Sequence, residues 1–443
     1  MAAFNARVLL IDVNSARPLN LDAKMLARGY HMMRATDASE AIELARNDHP
    51  DVVIINTATN GNTVDLDETL NSVRKDRNVP VIMIGDRAEN DRNTAEAHEG
   101  TADFLPPDYR DVELFARLRS LIRLNTMQEE LGRRIDTAEL YGIKDTDHIL
   151  PTVDISDSKI IVIGPDEQEN TGIAESIGSD RAVLTTVATH DAMTRLTQND
   201  IDALVVVCHT PSNEYLLFCE DVRNNSRFYN LPILLVTDAD CFENPDAPYE
   251  IGVTDVIHRP VDAEDMSNRA DSLVSQQRYR FAMRKVYADA MRPMTSDGLT
   301  GLFTHGFLHE SLSKQIAEAE TWHKNLTVGY FDIKNLAQFN ADYGYVAGDL
   351  LIRQISTMIT GLLRGEDLSA RYGGDEFVVV LPETPTAVAE IALRRIASVI
   401  GTTEFATADM TEPVPVYVQV GVASNEDGDS AESLIGRARA DMN

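Results

Sequence analysis

Residues 371–377 read Arg-Tyr-Gly-Gly-Asp-Glu-Phe, two carboxylates placed directly after two glycines. Glycines let a phosphate approach the backbone, and adjacent acids can hold a hard cation. That combination is the chemistry of a nucleotide–Mg²⁺ site. A plain charged hairpin turn is the competing reading. The five-residue string Gly-Gly-Asp-Glu-Phe arises by chance in roughly one chain of this length per several thousand, which favours the chemical reading.

The elements that must position this stretch are short. Residues 368–372 and 377–381 read as strands, and Gly373-Gly374 between them is a hairpin signal, glycine supplying positive φ without steric cost. Residues 326–331 read as another strand, with Asp332 at its end. Further upstream the chain falls into two similar halves. Apolar runs at 8–12, 51–55, 79–84 and 103–106 alternate with helical patterns such as 38–46 and 112–124. The pattern recurs with strand-like runs at 159–163, 203–207, 232–236 and 255–258. Strands alternating with helices indicate parallel sheets covered on both faces. Residues 126–157 join the halves as a charged helical stretch and a turn-rich segment around Pro151.

Composition bounds the rest. A chain of 443 residues suggests about three domains. A formal charge of −31 argues against nucleic acid as a partner. No apolar run reaches membrane-span length and no signal-peptide pattern opens the chain, so a cytoplasmic protein is expected. Cys208, Cys219 and Cys241 lack metal-type spacing and read as reduced thiols.

The last 150 residues or so resemble GGDEF domains, the family of the diguanylate cyclases, which join two GTP molecules into cyclic di-GMP. The resemblance rests on Gly373–Phe377, on Asp297-Gly298-Leu299-Thr300-Gly301-Leu302, on Phe331-Asp332-Ile333 and on Gly348-Asp349. It implies catalytic roles for Asp332, Asp375 and Glu376, and a Mg²⁺ held by Asp332, Asp375 and the Ile333 carbonyl when GTP is bound. It implies substrate contacts from Asn340 and Asp349 to the guanine edge and from Gly373 and Gly374 to phosphate. Arg364-Gly365-Glu366-Asp367, in register with Gly373, matches the family's inhibitory Arg-x-x-Asp site, and Arg395 matches its second arginine. These three residues are the expected cyclic di-GMP site.

Departures from the family pattern weigh against turnover. Lys334 stands where a second acid is usual, Asn335-Leu336-Ala337 replaces the usual phenylalanine and lysine, and Thr304-His305-Gly306 replaces Asn-Arg-Arg. Tyr345 replaces a histidine. The chain stops at Arg439-Ala440-Asp441-Met442-Asn443, so the closing helix with its A-K and G-R-N basic residues is expected to be lost. Fewer cations on a triphosphate means slower phosphoryl transfer.

The two upstream halves resemble receiver domains of response regulators, with Leu105-Pro106 and Arg259-Pro260 where that family has lysine–proline. Their phosphotransfer chemistry is degraded. Asn56 takes the acceptor position, Asp12 is followed by Val13, Gly85 replaces the hydroxyl residue, and neither Leu105 nor Pro107 supplies the lysine. In the second half the acidic pair reads Gly164-Pro165, and the strand ends Val207-Cys208-His209. Thr237 and Arg259 remain. Asp51 reads as an ordinary strand-edge acid.

The expected architecture is α/β throughout: two flavodoxin-like (CheY-like) receivers at residues 1–140 and 155–285, then a GGDEF nucleotide-cyclase-like domain at 290–443. That layout is similar to PleD-type and PopA-type response regulators. The leading expectation is a cyclic di-GMP effector or scaffold with impaired catalysis. The alternative is an active diguanylate cyclase under product inhibition. Protein partners through the receivers, a homodimer and, by the resemblance, a polar location are implied.

Overall fold

A computed structural model describes residues 5–12, 19–56, 79–85, 102–105, 107, 109–141, 155–178, 181–211, 214–225, 228, 230–244, 246–289, 295–406 and 414–442. Val13, Pro106, the turn around Pro151 and Asn443 lie outside the described residues.

The first half forms a five-stranded parallel sheet from β1 (Ala6–Ile11), β2 (Tyr30–Ala35), β3 (Val52–Asn56), β4 (Val81–Ile84) and β5 (Ala102–Leu105), in the order β2-β1-β3-β4-β5. Helices α1 (Asp22–Ala27), α2 (Ala38–Asp48) and α3 (Asp111–Leu140) accompany it. All of β1 is buried, and its side chains alternate between two cores. Val8 and Leu10 pack with Phe115 and Leu118 of α3, whereas Leu9 and Ile11 pack with Ala41 of α2. A strand covered on both faces reads as a continuous apolar run, which is why its sequence lacks alternation.

The second half repeats the plan. Strands β6 (Lys159–Ile163), β7 (Ala182–Thr186), β8 (Ala203–Cys208), β9 (Ile233–Thr237) and β10 (Asp255–His258) form a parallel sheet in the order β10-β9-β8-β6-β7. Helices α4 (Glu167–Ile177), α5 (Thr189–Gln198), α6 (Glu214–Asn224), α7 (Ala247–Glu250) and α8 (Ala263–Asp289) accompany the strands. The strand order is that of the flavodoxin-like fold. The two receiver-like halves form one compact unit. Within it Arg117 of α3, nearly buried, reaches Asp265 of α8 at 3.3 Å, and the Arg119 guanidinium lies 5.1 Å from the centre of the Tyr249 ring.

The third domain changes strand direction. β12 (Leu368–Arg371), β13 (Glu376–Pro382), β11 (Leu326–Ile333) and β16 (Val418–Ser424) make an antiparallel sheet in that order. β14 (Glu404–Phe405) and β15 (Val414–Pro415) pair separately. The helices are α9 (His305–Trp322), α10 (Leu336–Tyr343), α11 (Tyr345–Leu362), α12 (Thr386–Thr402) and α13 (Ala431–Ala440). On one face of the sheet Phe331, Phe377, Val379 and Leu381 pack with Leu351, Ile355, Leu393 and Ile396 of α11 and α12. Residues 128–140 of α3 belong to this second compact unit.

One expectation about the chain's end is corrected. A closing helix does form, as α13, fixed by a capping box between Ser430 and Ser433 and by burial of Leu434, Ile435 and Ala438. The basic residues it carries are Arg437 and Arg439. No helix among the described residues is long and apolar enough to cross a membrane.

Candidate functional site

The signature hairpin joins β12 to β13 through Tyr372–Asp375, with the Tyr372 N–H donating to the Glu376 carbonyl at 2.8 Å. Neither Gly373 nor Gly374 has a positive φ, so the glycines are not there for a left-handed turn. Their surroundings differ. A Cβ on Gly373 would lie 2.8 Å from a Glu376 carboxylate oxygen, and Gly374 has nothing within 4 Å of the position its Cβ would take. That open face is where a phosphate can reach the backbone.

Arg371 holds this loop, a role that residue-by-residue reading of the sequence missed. Its Nε donates to the Gly373 carbonyl at 3.1 Å and its Nη2 to the Gly374 carbonyl at 2.7 Å. Its Nη1 meets both Asp297 oxygens at 3.1 and 3.3 Å. Asp297 also accepts from the Thr300 N–H and hydroxyl at 2.9 and 2.8 Å. Burial alone would raise the Asp297 carboxyl, but the Thr300 and Arg371 bonds hold it below the usual carboxylate range. The opening motif and the hairpin are therefore one structure, braced through a guanidinium. Alternation along β12 was the only available sequence signal for Arg371.

The acids meet as the topology requires. Asp332 at the end of β11 lies directly opposite Glu376 at the start of β13, and the Ile333 N–H donates to the Asp375 carbonyl at 3.0 Å. Each of the two opposed carboxylates is paired with a cation of the chain. Lys334, in the turn just beyond the end of β11, forms an ion pair with Asp332. Arg439 of α13 pairs with Glu376 at 2.6 Å, and its guanidinium lies 5.5 Å from the centre of the Tyr330 ring. Burial raises the Tyr330 phenol above its ordinary value, and the Glu376 carboxylate beside it adds to the rise. As arranged, the Asp332 carboxylate is already matched by a cation of the chain. Among the described residues Asp332, Asp375 and Glu376 do not converge their oxygens into a three-carboxylate cluster, and a metal would have to displace an ammonium group. Where the family has arginines after the opening motif, the His305 ring lies 4.6 Å from Tyr372.

The predicted guanine-edge residues flank the α10–α11 joint. The Asn340 side chain lies against Gly348, where a Cβ would come within 1.7 Å of its Oδ1, so any larger residue there would push the Asn340 amide aside. Buried in that contact, Oδ1 has no hydrogen-bond partner. Asp349, the next residue, is exposed at the start of the second turn of α11.

The Arg-x-x-Asp turn sits at the other end of β12, about 13 Å of extended strand from the glycine loop. Asp367 is buried and accepts the Arg364 N–H at 2.7 Å, folding the turn, while the Arg364 side chain is exposed after the end of α11. Arg395 is exposed on α12, which packs against α11.

The corresponding ends of the receiver-like sheets are also internally paired. Asp12 accepts from the Asn56 amide at 2.8 Å, from Arg34 at 2.5 Å and from the Leu19 N–H at 3.1 Å. In the second sheet Arg259 and His209 each lie 2.8 Å from Glu169, and Arg259 lies 3.3 Å from Asp238. Gly85 follows β4, Gly164 follows β6, and Thr237 ends β9, where its hydroxyl is buried.

A family model described as "Diguanylate cyclase, GGDEF domain" matches residues 294–443. Over almost the whole chain the sequence is similar to the response regulator PleD of Caulobacter vibrioides, 26% identical over 445 residues, covering 98% of this chain and 95% of that protein. The diguanylate cyclase DgcP of Pseudomonas aeruginosa is 28% identical over 179 residues, covering 40% of this chain and 26% of that protein. Among solved structures, the GGDEF domain of DgcB from Caulobacter crescentus in complex with c-di-GMP matches at 28% identity and a TM-score of 0.33, covering 34% of this chain and 86% of that one.

Proposed function

We propose that this chain, a PleD-like response regulator ending in a GGDEF domain, is a cyclic di-GMP effector whose own synthetic activity is strongly impaired. Fold alone would not choose between effector and cyclase, because the same domain serves both. The observation that carries the choice is the Lys334 ammonium on Asp332. A lysine at that position neutralises a carboxylate that the cyclase reaction needs for a cation, and the Arg439–Glu376 pair does the same on the facing strand.

Ligand binding is assigned to Arg364, Asp367 and Arg395. Asp367 braces the turn that presents Arg364, and an exposed guanidinium suits either the phosphates or the guanine edge of the ligand. The receiver-like halves act as docking modules, for protein partners or for a second copy of the chain. Their acidic ends are already occupied by Arg34 and by Arg259. Cytoplasmic and polar placement follow from the same resemblance.

A second reading, an active diguanylate cyclase under product inhibition, is favoured by the intact Gly373–Phe377 string and the open face over Gly374. Here Asn340 and Asp349 take the base, Gly373 and Gly374 the phosphates, and Asp375 joins the catalytic acids. Calorimetry with cyclic di-GMP, combined with a GTP turnover assay on the same sample, decides. The effector reading expects binding below tens of micromolar with negligible synthesis. Steady synthesis near one per second, abolished by Asp375→Ala, would replace it with the cyclase; no binding at tens of micromolar would remove it.

A further inference from the structure

We propose that Arg134 is a positioning residue for the Arg364–Asp367 turn, so that the last turns of α3 are part of the scaffold of the ligand site. The inference deepens the cyclic di-GMP reading and rests on it for the identity of the ligand.

Arg134 is 3% exposed. Its Nη2 donates to two consecutive backbone carbonyls of the turn, Glu366 at 3.0 Å and Asp367 at 3.1 Å. Its Nε donates to Glu130 Oε1 at 2.7 Å, one helical turn back. Glu130 is fully buried, and its other oxygen accepts from Arg133 Nε at 3.1 Å and from Gln315 Nε2 on α9 at 3.0 Å. A buried ion pair is tolerated only when its remaining donors and acceptors are satisfied, and here the turn supplies two of the acceptors. Lysine could not reproduce the contact, because one compact ammonium lacks the planar fork that links a carboxylate to two carbonyls.

The same side chain approaches the strand that follows the turn. The Arg134 guanidinium lies 5.9 Å from the centre of the Phe303 ring. Phe303 donates its N–H to Ser369 at 3.2 Å and accepts from the Arg371 N–H at 2.9 Å, so it is strapped to β12. Asp367 holds the turn from within, through the Arg364 N–H. Arg134 holds it from α3, through the Glu366 and Asp367 carbonyls. α3 is one continuous helix, and its first turns place Leu114, Phe115 and Leu118 in the core of the first receiver-like sheet. The element that fixes the turn is thus the one that leads to that sheet.

Hydrogen–deuterium exchange on the full chain tests this without ligand, and calorimetry with cyclic di-GMP tests it with ligand. In Arg134→Gln, exchange of amides 364–369 should rise and cyclic di-GMP affinity should fall, each by roughly tenfold, the scale of losing charge-assisted hydrogen bonds to a buried segment. Arg134→Lys, which keeps the charge, should recover part of both. Arg364→Ala should lose the ligand while leaving exchange of the turn as in wild type. Unchanged exchange in Arg134→Gln would overturn the positioning role. An equal rise across the whole domain in both Arg134 variants would assign the residue to general stability and overturn it as well. Localised exchange in Arg134→Gln, with no cyclic di-GMP binding by wild type, would uphold the hold on the turn and remove the ligand reading alone.

Discussion

The two ends of β12 treat their charged groups in opposite ways. At the glycine loop, Asp332 and Glu376 face one another across two strands and are each covered by a cation from the same chain, Lys334 and Arg439. At the Arg-x-x-Asp turn the carboxylate of Asp367 is spent on the backbone, and the exposed group is a guanidinium. One end carries acids already matched with positive charge. The other presents positive charge outward, which suits an anionic ligand. The lesson is that a preserved signature string does not by itself say which counter-charges its acids meet. The receiver-like ends follow the first pattern, with Arg34 on Asp12 and Arg259 on Glu169.

The contrast can be broken from either side, and the largest effect belongs to the turn. Arg364→Ala should cost about 2–5 kcal/mol of cyclic di-GMP binding, the usual loss when a desolvated charged partner is removed. Calorimetry reads this directly, and equal affinity in wild type and variant would erase the difference between the two ends.

Next is the covered acid. Replacing Lys334 by aspartate removes the internal cation and adds a ligand. Mn²⁺ affinity, followed by electron paramagnetic resonance, should rise by roughly 10–100-fold, the scale on which supporting groups tune metal sites. The gain should disappear when Asp332→Asn is added. If wild type already binds one Mn²⁺ that Asp332→Asn abolishes, then the acid end is not internally neutralised.

A smaller effect is expected at the brace beneath the loop. Asp297→Asn weakens the hold on Arg371 and should destabilise the domain by about 1 kcal/mol in a thermal or urea melt. The sign of its pH dependence follows from the Asp297 carboxyl lying below its ordinary value of 3.8. A depressed carboxyl contributes stability that is present above that ordinary value and is lost as pH falls through the folded value. The stability gap between wild type and variant should therefore be full at neutral pH and close as the solution is acidified below about pH 4. A gap that stays constant down to pH 2 would show that Asp297 does not act through its charge.

The smallest expected signal is in the receiver-like halves. Acetyl phosphate should leave no acid-labile phosphate on residues 1–280, because an amide at Asn56 and the Cys208 strand end offer no carboxylate nucleophile. Stoichiometric phosphoaspartate there would make those ends catalytic and would dissolve their likeness to the covered acids at the glycine loop.

Much of this was legible in the chain. The continuous apolar runs fixed two parallel sheets, because strands buried on both faces have no polar positions to show. The Gly373–Phe377 string, the opening Asp297 motif and the Arg364–Asp367 spacing located both candidate sites, since each depends on residues close in sequence. Lys334 was visible as a departure two residues from Asp332, close enough in sequence to make their pairing a local matter.

What the chain could not disclose is where distant groups converge. The closing helix was expected to be lost. It forms because Leu434, Ile435 and Ala438 are buried, and it delivers Arg439 to Glu376, sixty-three residues away in sequence. Positive φ was the expected reason for Gly373 and Gly374, whereas neither adopts it: Gly373 is crowded by the Glu376 side chain and Gly374 is open. Arg371 had no visible task until the fold set Asp297 beside the hairpin. Arg134 bonds carbonyls more than two hundred residues onward, and backbone carbonyls carry no residue identity for a sequence to reveal. Local spacing therefore determined which groups exist and which face each takes. Only tertiary packing decided which charges meet, because that depends on burial shared between elements remote along the chain.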